Sequence, residues 1–167
     1  MEDSDLLRVR LEKIAALKAA GINLYPNDIK PQNTTAEIIS RLGEATAGDL
    51  EKLAEKFSVA GRMMAVRDFG KADFIKIQDR TGQIQCYLAK NILSEHDFAL
   101  FKKLDIGDIV YVSGKMFRTK TDELTIEAAS IRLAAKAIHP LPEKWHGLTD
   151  IETRYRQRHL DLISNPQ

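Results

Sequence analysis

Phe74-Ile75-Lys76-Ile77-Gln78-Asp79 and Gln83-Ile84-Gln85-Cys86-Tyr87-Leu88 are two short alternating runs separated by the turn residues Arg80-Thr81-Gly82. Side chains alternate faces along a strand, so Ile75, Ile77, Ile84, Cys86 and Leu88 form one apolar set that faces a core. The opposite face then carries Phe74, Lys76 and Gln78 beside Gln83, Gln85 and Tyr87. Unpaired nucleobases engage such side chains: rings stack, amides read base edges, and a cation meets phosphate. An ordinary solvated sheet face with incidental aromatics is the competing reading of these two strands.

Outward from this pair, residues 58–136 keep a strand texture. SVAGRMMAVRD (58–68), DFIKIQD (73–79), QIQCYLA (83–89), DIVYVSGKMFRT (108–119) and ELTIEAASIRLAA (123–135) are rich in β-formers or alternate in polarity. Between the third and fourth segments, SEHDFALFKKL reads as a short helix capped by Ser94, with Phe98, Phe101 and Leu104 at apolar spacing. Gly61 and Gly114 permit the sharp bends that a closed barrel needs. Three strands, a helix and two more strands is the order of an OB-fold, a five-stranded Greek-key barrel. Such barrels bind oligonucleotides on the face of strands two and three and with adjoining loops. The fold class is therefore mainly β, a five-stranded OB-fold barrel with an N-terminal helical extension and a C-terminal connector and helix.

The flanks differ in texture. A helix is expected from about Asp5 to Ala20, with Ser4 as N-cap and Gly21 as its stop. Leu7, Leu11, Ile14 and Lys18 lie near one face with Leu17 beside them, whereas Arg8, Arg10 and Lys13 lie elsewhere and solvate the helix or touch RNA. Thr34 or Thr35 caps a short helix through Arg41. A second follows near Asp49 with Leu50, Leu53 and Phe57 on one side. After Lys136, HPLPEKWHGL is an extended, proline-punctuated connector. TDIETRYRQRHLDLI is helical again, capped by Thr149 or Asp150. The domains expected are 1–56, a helical extension; 57–137, the barrel; and 138–167, the connector and the start of a further domain, expected to be truncated at Gln167.

Bulk properties bound the function. A chain of 167 residues, 44% hydrophobic and 29% charged, holds one packed domain plus an extension. No apolar run approaches the ~20 residues that cross a bilayer, and Met1–Arg10 lack a secretory pattern. A single cysteine, Cys86, on the apolar parity of its strand reads as a buried reduced thiol in a cytoplasmic protein. The net charge of +1 argues against gripping nucleic acid through a phosphate field alone. Residues 57–136 carry 13 Lys and Arg against 10 Asp and Glu, a slight lean towards an anionic partner. His96, His139, His146 and His159 lack metal-ligand spacing. Phosphate-loop, dinucleotide and nucleophile-elbow motifs are absent from the sequence. No catalytic residue and no metal site is expected in these residues.

Arg62, Arg67, Lys71, Arg118 and Lys120 fall at the ends of strands one, two and four, which meet around one rim in a barrel. Residues 67–71 and 117–123 are the loops through which an OB-fold holds ligand. A salt-bridged rim is the competing reading. Asp122-Glu123 sit at a turn, where acids more often stabilise the bend. Glu123 repels phosphate, so a binding role there requires it to accept from a base N–H.

VAGRMMAVRDFGKADFIKIQDRTGQIQCYLA (59–89), KLDIGDIVYVSGKMFRTKTDELTI (103–126) and HPLPEKWHGLTDIETRYRQRHLDLISN (139–165) resemble the N-terminal part of the class II lysyl-tRNA synthetase family, over nearly the whole chain from about Leu11. The last block is nearer the lysine family than its aspartate and asparagine relatives, which share the barrel and a looser R-Y-x-x-R-x-L-D-L ending. The resemblance implies an OB-fold anticodon-binding domain that binds the anticodon loop of tRNA(Lys) and leads into a class II catalytic domain. In the family that domain activates lysine with ATP and Mg2+, transfers it to tRNA, and works as a homodimer. Matching position by position, Phe74 is the ring that stacks on a uridine of the U-rich anticodon. Gln85 is the amide that reads an anticodon base, Arg67 the basic contact at the first strand's exit, and Glu123 the carboxylate that accepts from a uridine N–H. Arg62, Lys71, Lys76, Arg118 and Lys120 are expected on the tRNA backbone. The family usually has Gly at Asp122 and often Tyr at His159. Its ATP-binding motifs and lysine pocket do not occur in these residues, so they are expected to bind without catalysing.

Three other readings compete. One is a free-standing OB-fold that binds single strands without sequence choice, whose natural signature is a larger basic excess. Another is the equivalent domain of an aspartyl- or asparaginyl-tRNA synthetase. The third is an interaction domain that docks a partner through the N-terminal helix and the Trp145 region.

Overall fold

A computed structural model describes residues 3–141 and 148–165. Its elements are α1 (Asp3–Ala19), α2 (Thr35–Leu42), α3 (Ala47–Lys52), β1 (Phe57–Asp68), β2 (Ala72–Gln78), β3 (Gln83–Ala89), α4 (Glu95–Phe101), β4 (Ile109–Arg118), β5 (Leu124–Ala135), α5 (Ile151–Arg156) and α6 (Arg158–Ser164). The strands close into a barrel in the order β1-β2-β3-β5-β4, and β3 and β5 are the parallel pair that closes the ring. The proline-rich connector and Trp145 fall largely on residues 142–147, outside the described residues.

Alternation settles which side chains fill the barrel. Ile75, Ile77, Ile84, Cys86 and Leu88 are all buried, as their parity dictates. The register of β1 against β2 shifts between Met63 and Ala65, and at this bulge the consecutive residues Met63 and Met64 are both buried, Met63 within the core. Gly61 and Gly114 sit where strands crowd. A Cβ on Gly61 would lie 2.6 Å from the Gln78 carbonyl oxygen, and one on Gly114 would overlap the Glu127 carbonyl beside a second register shift. Burial removes the Cys86 thiol from water and pushes its pKa far up.

Helices α2, α3 and α4 start at side-chain caps. Thr34 accepts from the Glu37 amide in a capping box on α2, Thr46 does the same with Asp49 on α3, and Ser94 accepts from Asp97 on α4. At the head of α2, the Thr35 amide and hydroxyl donate to the Asp79 carboxylate at 2.7 and 2.8 Å. Asp79 also accepts from the Thr81 and Gly82 amides, so one carboxylate ties α2 to the β2–β3 turn. Burial works to raise the Asp79 pKa, but the Thr35 amide and the other donors outweigh it and hold the carboxyl below its usual range. Asp150 caps α5, and the C-terminal helix breaks at Gln157 into α5 and α6.

The α1 helix corrects the sequence reading at several points. It runs from Asp3, so Ser4 lies inside its first turn rather than before it. Leu11 is about half exposed, and the inner stripe is Arg10, Ile14 and Leu17. Arg10 neither solvates the helix nor faces outward. Its guanidinium is buried and donates to the carbonyls of Ile106 (2.8 Å), His139 (3.0 Å) and Ala137 (3.2 Å). Lys13 joins Asp105 at 2.5 Å, and the buried Lys136 ammonium reaches Asp105 at 2.8 Å and Asp108 at 3.0 Å. Periodicity counts apolar residues, whereas α1 docks on the barrel through Arg10 and Lys13 as well, cations that find carbonyl and carboxylate partners there.

Candidate nucleic-acid interface

Residues directly opposite in a sheet share a face, so the register fixes which side chains meet. Arg67 pairs with Phe74 across β1 and β2, and Phe74 with Tyr87 across β2 and β3. One step along, Lys76 pairs with Gln85, and Gln85 with Thr125 on β5. Phe117, opposite Thr125 on β4, brings a further ring. The rings form a continuous row. Phe69 meets Phe74 edge-on at 5.7 Å between centroids, Phe74 meets Tyr87 at 5.0 Å, and Tyr87 meets Phe117 at 5.8 Å. Edge contacts of this kind hold rings at fixed tilts and leave faces to stack on. Phe74 is partly buried by its neighbours, while Phe69 at the end of the row is 68% exposed.

Two loops flank the row. In residues 69–71, the Asp68 carboxylate accepts from the Gly70 amide at 2.6 Å, and Gly70 takes a left-handed φ of 81°. Lys102, at the C-terminal end of α4, braces this loop. Its ammonium is 2.9 Å from the buried Asp73 and 3.4 Å from Asp68, and it lies over the rings of Phe98 and Phe101 at 5.2 and 5.5 Å. The bond to Asp73 raises the Lys102 pKa. The Gly70 amide, then Lys102, holds Asp68 below the usual carboxylate range. In residues 119–123, Asp122 adopts φ 63°, a left-handed conformation that glycine enters without strain and aspartate tolerates. The Thr119 amide donates to the Glu123 carbonyl, and the Glu123 amide donates to the Thr119 hydroxyl, both at 3.1 Å.

The expected site residues divide by their partners. Arg67, Lys71 and Lys120 are exposed around the row. Lys76 is in an ion pair with Glu123 at 3.2 Å. Arg118 braces the fold: it donates to the carbonyls of Ala45 (2.8 Å), Asp122 (2.7 Å) and Gly43, pinning the 119–123 loop against the α2–α3 turn. Arg62 lies at the far end of β2, opposite Gln78, and donates to the Gly107 carbonyl at 2.8 Å. Gln85 has the outward parity expected of it, yet is buried, because its amide folds onto Thr125 at 3.0 Å rather than extending into solvent. Phe69, Phe117, Asp73, Lys102 and Thr125 enter the site only in three dimensions. The aromatic letters in residues 69 and 117 were the available signal for two of them.

No helix among the described residues is long and apolar enough to cross a membrane. Nor do those residues contain a group of three or more His, Cys, Asp or Glu placed to hold a metal ion.

A closed five-stranded barrel with rings on the β2–β3 face and two loops beside it defines an OB-fold nucleic-acid-binding domain. Residues 57–134 match the tRNA anti-codon family model, described as an OB-fold nucleic acid binding domain. Beyond the barrel, the chain is 44% identical over 164 residues to the lysine–tRNA ligase of Anaeromyxobacter sp. (strain K), covering 98% of this chain and 32% of that protein. It is 44% identical over 169 residues to the ligase of Xylella fastidiosa (strain M12) and 45% identical over 166 residues to that of Dechloromonas aromatica (strain RCB), covering 99% of this chain and 33% of each. The chain is a homologue of the N-terminal, anticodon-binding OB-fold region of lysine–tRNA ligase, and it spans about a third of the length of the curated relatives it matches.

Proposed function

We propose that the barrel recognises the anticodon loop of a lysine tRNA by stacking its bases on the ring row and reading uridines with Gln85 and Glu123. The observation that carries this reading is the continuity of the row from Phe69 to Phe117 with hydrogen-bond acceptors directly beside it. Phe74 is the central stacking surface. A uridine N3–H donates where a cytidine presents a bare acceptor, so a carboxylate at Glu123 favours the former. Arg67, Lys71 and Lys120 meet the phosphates, and Lys76 joins them when RNA takes its place on Glu123. Arg62 and Arg118 serve the loops rather than the RNA.

The ligase activity of the relatives is the whole protein's, and in this reading the barrel supplies its tRNA selection. ATP and Mg2+ belong to the ATP-dependent attachment of lysine elsewhere in such a ligase, and no step at the barrel involves them. Dimerisation is likewise proposed for the whole ligase, in the cytoplasm. The domain limits proposed are those read from the sequence, 1–56, 57–137 and 138–167.

The test is a fluorescence-anisotropy titration of the 167-residue chain with a U-rich lysine anticodon stem-loop, the same loop with cytidines, and an unrelated single strand. Preferential binding of the first supports the proposal. Equal binding of all three identifies a module without sequence choice and overturns it.

A further inference from the structure

We infer that Thr125, a fully buried residue of β5, is the positioning residue that sets how Gln85 and Glu123 face a base; the inference rests on the anticodon reading above and deepens it. The Thr125 hydroxyl stands between the two readers. It donates to the Glu123 carbonyl at 3.0 Å and receives the Gln85 Nε2 at 3.0 Å.

A hydroxyl has one proton to give. The Glu123 carbonyl can only accept, so it takes that proton, and the Gln85 atom facing Thr125 must be the NH2 group. A flipped amide would put two acceptors against one proton. Either the hydroxyl gives up the Glu123 carbonyl, which then keeps only the Thr119 amide, or the Gln85 oxygen goes without its bond, and one hydrogen bond is lost either way. Thr125 therefore decides an orientation that glutamine by itself leaves open. The amide oxygen of Gln85 is turned the other way. Among the described residues no donor occupies it, and no side-chain oxygen is buried without a partner, so it remains within reach of solvent. The relay thus presents an acceptor at Gln85, like the carboxylate at Glu123. The same hydroxyl, with the Thr119 amide, clamps the Glu123 carbonyl and so holds the loop on which that carboxylate sits. Both acceptors match a base edge that offers an N–H, as uridine does and cytidine N3 does not.

Thr125→Val removes the hydroxyl and keeps the shape, and Thr125→Ser keeps the hydroxyl. With the uridine and cytidine stem-loops as probes, Thr125→Val is expected to lose roughly tenfold of the uridine preference, the worth of about one hydrogen bond. Most of that loss is expected in the uridine complex, and Thr125→Ser should restore it. Wild-type preference in Thr125→Val, or equal weakening for both loops, would overturn the relay. A second measurement does not depend on the variants folding: in the free wild-type chain the Gln85 side-chain NH2 should exchange slowly with solvent by NMR, and rapid exchange would also sink the relay. If wild type itself shows no uridine preference while the NH2 stays protected, the anticodon reading fails and the relay stands as structure alone.

Discussion

The Lys76 ammonium lies 3.2 Å from the Glu123 carboxylate, joining the middle of β2 to the loop before β5 across the face that carries the rings. Each side chain is 40% exposed. An exposed pair of this kind contributes little to stability and is screened by salt. Its value is electrostatic compensation: the lysine neutralises an acid that would repel phosphate, and it yields that acid to a base N–H at small cost. Glu123→Ala should lower the preference for uridine over cytidine by about 5- to 100-fold, with little change for the cytidine loop. Stem-loop titrations of the variant check this, and equal losses for both loops would contradict it.

Lys76→Ala tests the other half of the pair. If the lysine moves to phosphate in the complex, the slope of log affinity against log salt should fall by about one. Titrations at a series of salt concentrations read the slope directly, and an unchanged slope would place Lys76 outside the RNA contact.

Phe74 is the centre of the ring row, with Phe69 and Tyr87 on either side. Removing a stacking ring costs on the order of 1–3 kcal/mol per base, so Phe74→Ala should weaken stem-loop binding by about ten- to a hundredfold. An unchanged affinity would remove the platform from the mechanism. Phe69 holds one end of the row alone and should matter less.

Lys102 should matter for stability more than for binding. Lys102→Met leaves the Asp73 carboxylate buried without its ion pair. The cost is expected at about 1–3 kcal/mol, the penalty of an unsatisfied buried polar group, tempered by the lysine's own 42% exposure. Urea denaturation measures it, and the charge-neutral double change with Asp73→Asn should recover most of the loss.

Acid should unfold the chain through its paired carboxylates. Burial works to raise the Asp105 pKa, but Lys13 and Lys136 overcome it and hold the group below its usual value. Asp79 and Asp68 are lowered as well. A carboxyl with a folded pKa below its unfolded value near ~3.9 stabilises the fold at higher pH, and the contribution disappears as pH falls towards the folded value. The urea midpoint should therefore be flat with respect to these groups from neutral pH to about 5 and fall below about 4. Asp105→Asn should make that fall shallower.

Much of this chain was legible before any coordinates. Period-two alternation named the barrel-lining residues of β2 and β3, because a side chain's face on a strand is fixed by parity alone. Ser94, and one of each pair Thr34/Thr35 and Thr149/Asp150, could be read as helix starts, because a cap satisfies amides only a few residues away. The place of Phe74 on the outer face follows from the same local rules. The resemblance of residues 59–89 and 103–126 to a family supplied the partner and the roles of Gln85 and Glu123, which parity alone does not assign.

Closure of the barrel decided the rest. Gln85 is outward by parity and buried in fact, since β3 and β5 meet there and bring Thr125 within 3.0 Å of its amide. Arg10 and Arg118 read as surface cations until the folded chain sets carbonyls 96 and 75 residues away against their guanidinium groups. Alternation and capping are properties of neighbouring residues, and these the chain determined by itself. Which distant donor meets which acceptor depends on how strands separated by tens of residues come into register, and only the assembled barrel fixes that.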